Sequence, residues 1–576
     1  MKYIFVFRNI YRLSIFVILI LTANALPAGF EGDSVNIICG ELLARPEKNS
    51  VTINSCADRA MDLYYEYGTD SLNYVSQTNI YSAADSVPVT VRIENLLPDT
   101  RYYYRMRYRK TGTSVFSARA SRTFHTQRPK GTSFTFAIEA DPHMDTNSLG
   151  TVYAQTLRNL ISKNPDFLID LGDTFMSEKL PVQNPATIKE RHLLLRNYFD
   201  IACHSVPLFL VSGNHDGELG WRHNNTAECL PVWAANTRKQ YYPNPVPDSF
   251  YTGNSVAEPF VGLRENYYAW EWGDALFVVL DPYWYTKTKP GWGWTLGADQ
   301  FNWFKNTISA SNAKFKFVFC HQLVAGYGND GRGGIEYAHL YEHGGRNTDS
   351  TWGFDSSRPG WGKPVHQLMV ENNVSVFFHG HDHFYGKQDL DGIVYQEVPQ
   401  PSLKSFTNLS AASYGYVNGV ILPNRGYLLV TVNDTSAKVE YIRTYLPNEE
   451  NATRHNGDIS HSYTIIKNGT PSSTEDYSPE PAGFALYQNY PNPFNPETII
   501  NYQIPTINDQ SDAVRVTLIV YDILGNEVAA LVKGYKSAGS YSVSFDASQA
   551  GLPGGVYYYR LVAGPYTQTM KMICLK

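Results

Sequence analysis

The chain has 576 residues, too many for one ordinary domain, so three or four units are expected. Its formal net charge is -6 and it contains no basic block, which excludes a nucleic-acid-coating role. With 43% hydrophobic residues it is not composed like a disordered chain, and its 42 tyrosines, set in alternating Tyr- and Thr-rich runs, point to much β structure.

In chain order, Lys2, Arg8 and Arg12 precede the apolar run 13–21, and the small-x-small site Ala23-Asn24-Ala25 follows. This pattern predicts a secretory signal peptide over 1–25, cleaved after Ala25; the apolar run is short for a membrane span. Residues 30–128 read as short strands, at 34–38, 50–53, 62–67, 89–93 and 101–108. Six cysteines are too few for a disulfide scaffold and lack CxxC spacing. Cys39 with Cys56, and Cys203 with Cys229, could each close a loop in an oxidising compartment, and Cys320 reads as a packed free thiol.

The chemistry starts at residue 133. Apolar strands are expected at 133–138, 167–171, 207–211, 315–320 and 374–378, with a helix near 150–163. Each strand runs into a polar cluster: Asp141-Pro142-His143, Gly172-Asp173, Gly213-Asn214-His215-Asp216, His321, and Gly380-His381-Asp382-His383. Ligands gather at the carboxyl ends of strands in open α/β sheets. Asp141 and His143 are two apart, as are His381 and His383, so an extended backbone would put each pair on one side. Pro142 favours the extended region for the residue before it. Carboxylates, imidazoles and an amide oxygen form an N/O donor set suited to Fe, Zn or Mn.

Three resemblances follow from these motifs. The run Leu96-Leu97-Pro98-Asp99-Thr100-Arg101-Tyr102 resembles the fibronectin type III pattern, with Tyr102 as the corner tyrosine whose hydroxyl bonds back to the backbone. The five ordered clusters resemble the calcineurin-like metallophosphoesterase superfamily over 133–467. The resemblance implies a central α/β four-layer domain, a sandwich of two β-sheets flanked by helices, between an N-terminal β-sandwich and a small C-terminal one. It also implies two divalent or mixed-valence ions. One would be held by Asp141, His143, Asp173 and His383, the other by Asp173, Asn214, His321 and His381, with Asp173 bridging them. The ions would stand roughly 3.5–4 Å apart with a bridging hydroxide as nucleophile. His215 would be the general acid and Asp216 its orienting carboxylate. The two-domain layout is similar to purple acid phosphatases, but their iron-binding tyrosine position is Met176 here, and His143 is a ligand they lack.

The stretch 322–365 holds Trp352, Trp361, Tyr327, Tyr337, Tyr341, Arg332, Arg346, Arg358, His339 and His343. It reads as an ordered lid, whose arginines could bind phosphate or pair with Glu336, Glu342, Asp349 and Asp355. More strands are expected at 393–398, 427–432, 438–445 and 460–466, and 468–482 reads as a linker. The motif Leu486-Tyr487-Gln488-Asn489-Tyr490-Pro491-Asn492-Pro493-Phe494-Asn495-Pro496 makes 483–576 similar to type IX secretion sorting domains. That implies a Gram-negative source, transit through the periplasm, the secretion machinery as a partner, and release to or attachment at the cell surface. The expected activity is hydrolysis of small phosphate esters, with monoesterase and diesterase both open. A non-catalytic surface binding protein on the same scaffold is the alternative.

Overall fold

The computed structural model describes residues 34–406, 410–466, 471–472, 484–489, 492–504, 514–536, 539–548, 550–564 and 566–575. The expected signal peptide and most of the expected linker lie outside these residues.

Residues 37–125 form two facing antiparallel sheets. Ile37–Ala44, Val51–Ala57 and Val89–Ile93 make one, and the other is built on Met61–Gly68 and Arg101–Lys110 with shorter edge strands. Alternate residues point inward, so Ile53, Val91 and Ile93 pack against Leu63, Tyr65, Tyr104 and Met106. The Tyr102 hydroxyl accepts the Leu97 N–H at 2.8 Å, the corner contact expected from the sequence.

The central unit stacks two larger sheets. The seven-stranded sheet runs Leu208–Leu210, Phe167–Asp170, Phe134–Glu139, Gly426–Val432, Ser436–Arg443, Ile459–Ile466 and Pro471–Ser472. Its first three strands are mutually parallel and the rest are antiparallel. The eight-stranded sheet contains a parallel core of Ala275–Val279, Phe315–Phe319, Val376–His379 and Ile393–Glu397. Every residue of the first three of these strands is buried, and apart from Lys316 and His379 all of them are apolar. Phe136, Ile138, Phe167 and Ile169 face Phe277, Phe317, Phe319 and Phe378 across the gap between the sheets. Each such side chain contributes roughly 1.5–3 kcal/mol by leaving water.

Helices cover both outer faces, giving four layers. Ala137 and Leu168 turn away from the sheet gap to meet α1 (Gly150–Ser162) and α2 (Pro185–Phe199) through Tyr153, Leu157, Leu195 and Phe199. The start of α2 is fixed by Asn184, whose side chain accepts the Ala186 and Thr187 N–H groups ahead of Pro185. Helix α3 (Leu230–Tyr241) follows. On the far side, α4 (Ala298–Ala310) places Phe301, Phe304 and Ile308 on Val278 and Val318.

The N-terminal sandwich shares a core with this unit, because Cys39, Leu42, Ala44 and Cys56 pack in one cluster with Leu195, Phe199 and Cys203. Residues 484–575 form a separate sandwich of a three-stranded and a four-stranded sheet. All six thiols are free and buried. Cys39 and Cys56 face each other across paired strands, whereas Cys203 and Cys229 pack in different clusters, which removes the second pairing the sequence allowed. Cys320 is the packed thiol expected.

Candidate metal centre

All five polar clusters come together where the parallel strands end. The loops after Phe134–Glu139 and Phe167–Asp170 are laced by backbone bonds: Asp141 N–H donates to Gly172 at 2.9 Å, and His143 N–H to Asp173 at 3.2 Å. The approach is too close for side chains in the second and third loops. A Cβ on Gly172, whose φ is +97°, would lie 2.5 Å from the Gly213 nitrogen. A Cβ on Gly380 would lie 2.6 Å from Asp141 Oδ2. Arg191 of α2, a residue with no signal in the sequence, clamps two of the loops by donating to the carbonyls of His143, Met144 and Phe175.

One expectation about these loops fails. Asp141 (φ 58°), His143 (φ 51°), His381 (φ 77°) and His383 (φ 65°) are left-handed, not extended, and so is Asp173 (φ 54°). Each such residue costs on the order of 1–3 kcal/mol and persists where its surroundings over-determine it. Pro142 does not enforce extension at Asp141, because the carboxylate is held from the far side by the His381 N–H at 2.8 Å. The paired residues converge by sharp turns, which is also how His381 and His383 reach different groups.

Two triads result, Asp141 with His143 and His383, and Asp173 with His321 and His381; within each, the donor atoms lie within 4.8 Å of one another. Asp173 Oδ2 stands between them, 3.5 Å from His143 Nε2 and 3.4 Å from His321 Nε2. Asn214 Oδ1 lies 3.1 Å from His321 Nε2. All seven candidate ligands are thus in one place. Three imidazoles are oriented through their other nitrogen: His143 Nδ1 faces Asp145 at 3.4 Å, His321 Nδ1 the Leu171 carbonyl at 2.8 Å, and His381 Nε2 the Asp330 carbonyl at 2.8 Å. Such bonds fix ring orientation at metal sites. Asp141 Oδ1, His143 Nε2, Asp173 Oδ2 and His381 Nδ1 are buried without any hydrogen-bond partner. A buried polar atom left so costs about 1–3 kcal/mol, and four converging ones match the donors that a pair of cations requires.

Charge accounts for the titration behaviour. Burial opposes ionisation of Asp141, but the imidazoles of His383 and His321 outweigh it and hold the carboxyl well below its usual range. Burial likewise disfavours charge on His321, yet Asp173 and Asp141 raise it to about 9. Asp173 stays ionised against its burial because His321 and His215 face it. The carboxylates therefore present full negative charge to the centre.

His215 sits at the rim, its backbone N–H on Asp173 Oδ1 at 2.7 Å and its Nδ1 on Glu178 Oε1 at 2.6 Å. This corrects the expectation for Asp216. The Asp216 carboxylate accepts the backbone N–H groups of Asp173, Phe175 and Gly213, so it braces two ligand loops and leaves His215 to Glu178. Glu178 was not legible because it comes from a separate 3-10 turn, Ser177–Lys179. Met176 is buried at the head of that turn with φ 53°. Nearby, Tyr283 has its ring 6.1 Å from that of His321 and its hydroxyl on Gln322 at 3.0 Å.

The arginines of 322–365 divide. Arg358 pairs with buried Glu342 and with the Trp292 and Trp294 carbonyls, and Arg346 donates to Ser350 in an exposed turn. Only Arg332 reaches the metal loops, at Asp382 and the His381 carbonyl. His343 is a core residue bonded to the Tyr395 hydroxyl at 2.9 Å.

Comparison with known proteins agrees with this geometry. Residues 134–385 match the family model for calcineurin-like phosphoesterases, and residues 488–575 match that for secretion system C-terminal sorting domains. The chain therefore carries a metal-dependent phosphoesterase domain of the calcineurin-like family, and a tail that directs type IX secretion to the cell surface or beyond. Among solved structures, PhoD is similar at 15% identity with a TM-score of 0.53, covering 75% of this chain and 91% of that one. A purple acid phosphatase, PPD1 of yellow lupin (Lupinus luteus), is similar at 12% identity with a TM-score of 0.50, covering 74% of each chain. At these identities the likeness is one of fold. No curated protein sequence matches the chain significantly. Among the described residues no helix is long and apolar enough to cross a membrane.

Proposed function

We propose that the chain is an exported phosphate-ester hydrolase with two metal ions, one held by Asp141, His143, Asp173 and His383 and the other by Asp173, Asn214, His321 and His381. The observation that carries this reading is the convergence of four buried, unpartnered donor atoms from both triads. Such ions would neutralise phosphoryl charge and lower the pKa of water. The chain's own groups do the rest. Asp173, whose Oδ2 lies 3.5 Å from His143 Nε2 of the first triad and 3.4 Å from His321 Nε2 of its own, would be the ligand the two ions share. Asp216 and Arg191 hold the ligand loops together, so that binding does not have to reorganise them. Glu178 engages His215 Nδ1, and Nε2, which faces the centre 3.3 Å from Asn214 Nδ2, would carry a proton to the departing alkoxide as general acid.

Metal analysis of the purified protein should find two ions per chain. Asp173→Asn, which weakens the shared ligand, should lower turnover more than His143→Ala does. Near-wild-type turnover in Asp173→Asn with one ion per chain would sink the two-ion assignment. The general acid has its own test. His215→Ala should keep both ions yet lose about a hundred- to ten-thousand-fold in rate on alkyl esters, and less on nitrophenyl esters, whose leaving group needs little protonation. An equal loss on both esters contradicts that role. Glu178→Gln should move the same way by a smaller amount.

A further inference from the structure

Between His381 and His383, which serve different triads, lies Asp382, whose side chain takes no part in either. It is 1% exposed and its carboxylate is saturated from three directions. Arg332 donates to Oδ1 at 3.0 Å; the Gly333 N–H and the Tyr416 hydroxyl each donate to Oδ2 at 2.8 Å. Its own N–H and that of His383 donate to Glu397 Oε1 at 3.0 and 3.1 Å. The same Arg332 reaches past Asp382 to the His381 carbonyl at 2.5 Å, and its guanidinium lies 4.5 Å from the Tyr414 ring centre.

Arg332 and Gly333 belong to the 322–365 insertion, as does Asp330, whose carbonyl engages His381 Nε2 at 2.8 Å. Residues 327–332 close on themselves through paired Tyr327 and Arg332 backbone bonds, so the segment meets the metal loop as one piece. Its attachment there pairs a half-buried guanidinium with a buried carboxylate, and removing the cation leaves that carboxylate buried without its counter-charge.

We infer that Arg332 and Asp382 form a positioning pair through which the insertion sets the two histidines of the Gly-His-x-His loop. This rests on the two-ion reading above. The pair touches neither ion nor substrate. It fixes the left-handed turn at His381 and keeps Asp330 against that ring, so that Nδ1 faces the centre. Loss of the pair should therefore appear first in metal retention. Residues that orient metal ligands typically contribute about 10–100-fold to affinity.

The test is a Zn²⁺ titration of the full chain against a chromophoric chelator. Wild-type protein should bind two ions; a wild-type stoichiometry below two overturns the two-ion reading itself, whatever the variants do. Given two, Arg332→Ala should weaken at least one of the two affinities about 10–100-fold, and Arg332→Lys should restore part of the loss. Tyr416→Phe removes a single bond to Asp382 Oδ2 with little risk to folding and should shift the same affinity in the same direction by less. Arg346→Ala, in the same insertion but with its guanidinium donating to the Ser350 carbonyl, away from the metal loops, should leave both affinities unchanged. Wild-type affinities in both Arg332→Ala and Tyr416→Phe, with unchanged circular dichroism, would overturn the inference. If Arg332→Ala does not fold, Tyr416→Phe alone decides.

Discussion

The two terminal β-sandwiches have the same layering and opposite relations to the phosphoesterase unit. The first is fused into it. Arg196 of α2, 2% exposed, donates to Asn54 Oδ1, Asn54 O, Gly40 O and Tyr241 O, tying two strands of the sandwich to α3. Leu43 N–H bonds to the Cys203 carbonyl at 2.9 Å, the Tyr104 hydroxyl to His204 at 2.7 Å, and the Tyr251 hydroxyl to Pro46 at 2.6 Å. The last sandwich instead has a core drawn wholly from residues 484–574, with Ile500, Leu518, Tyr559 and Met572 at its centre. The difference is one of hydrophobic accounting. Strands Ile37–Ala44 and Val51–Ala57 bury side chains on both faces and need a second partner, whereas Glu497–Ile504 alternates buried and exposed residues and needs only its own opposite sheet.

The largest effect should come from breaking the fused interface. Arg196→Ala strips a buried cation from four acceptors, three of them backbone carbonyls of buried residues. At roughly 1.5 kcal/mol for each charged hydrogen bond, the loss is on the order of 6 kcal/mol, a large share of a typical domain's stability. Urea unfolding followed by tryptophan fluorescence should show the midpoint falling steeply. A shift no larger than that of an exposed control such as Arg158→Ala would mean that the sandwich is merely apposed to the enzyme.

A smaller and selective effect should follow metal removal. An ion present at a hundred times its Kd adds roughly 2.7 kcal/mol to the unit that binds it. Chelation should therefore lower the thermal transition of the fused N-terminal and central units while leaving that of the tail in place. Calorimetry of the full chain with and without chelator checks this. A single transition that moves as a whole would show the tail to be coupled after all.

The sequence exposed these relations unevenly, for physical reasons. The five ligand clusters were legible because they need chemically distinctive residues and lie at the ends of apolar strands. Tyr102 was legible because its corner has a local motif. What stayed hidden depends on contacts between remote segments. The turns at Asp141 and His381 are set by each other across 240 residues, against the local preference that Pro142 suggests. Glu178 takes the place expected of Asp216 because the loop carrying Asp216 folds its carboxylate under the neighbouring backbone. Arg191 and Arg196 look like ordinary charges on a helix face, and only the fold buries Arg196 and turns the half-buried Arg191 onto the ligand loops. Cys203 and Cys229 had plausible spacing, but spacing does not report which core a side chain joins.

The smallest expected effect is the sharpest test of the comparison. A chain ending after Ile466 keeps the last full strand of the seven-stranded sheet, which pairs with Ser436–Arg443 along its length. It also keeps all seven candidate ligands together with His215, Glu178, Arg332 and Tyr416. It loses the sandwich that carries the sorting-domain match, and with it the signal for export. Turnover on a phosphate ester and ion content per chain should therefore stay at wild-type values, while the protein made in its natural host should no longer reach the cell surface. The short strand Pro471–Ser472 is the point of risk, because it pairs at Thr464 and Ile465 on the sheet edge. If ending at Ile466 exposes that edge, the symptom should be aggregation without loss of metal from the soluble fraction, and a chain extended to Ser472 should cure it. Loss of metal from soluble, folded protein in both truncations would show that the tail supports the catalytic unit, and the contrast between the two sandwiches would fall.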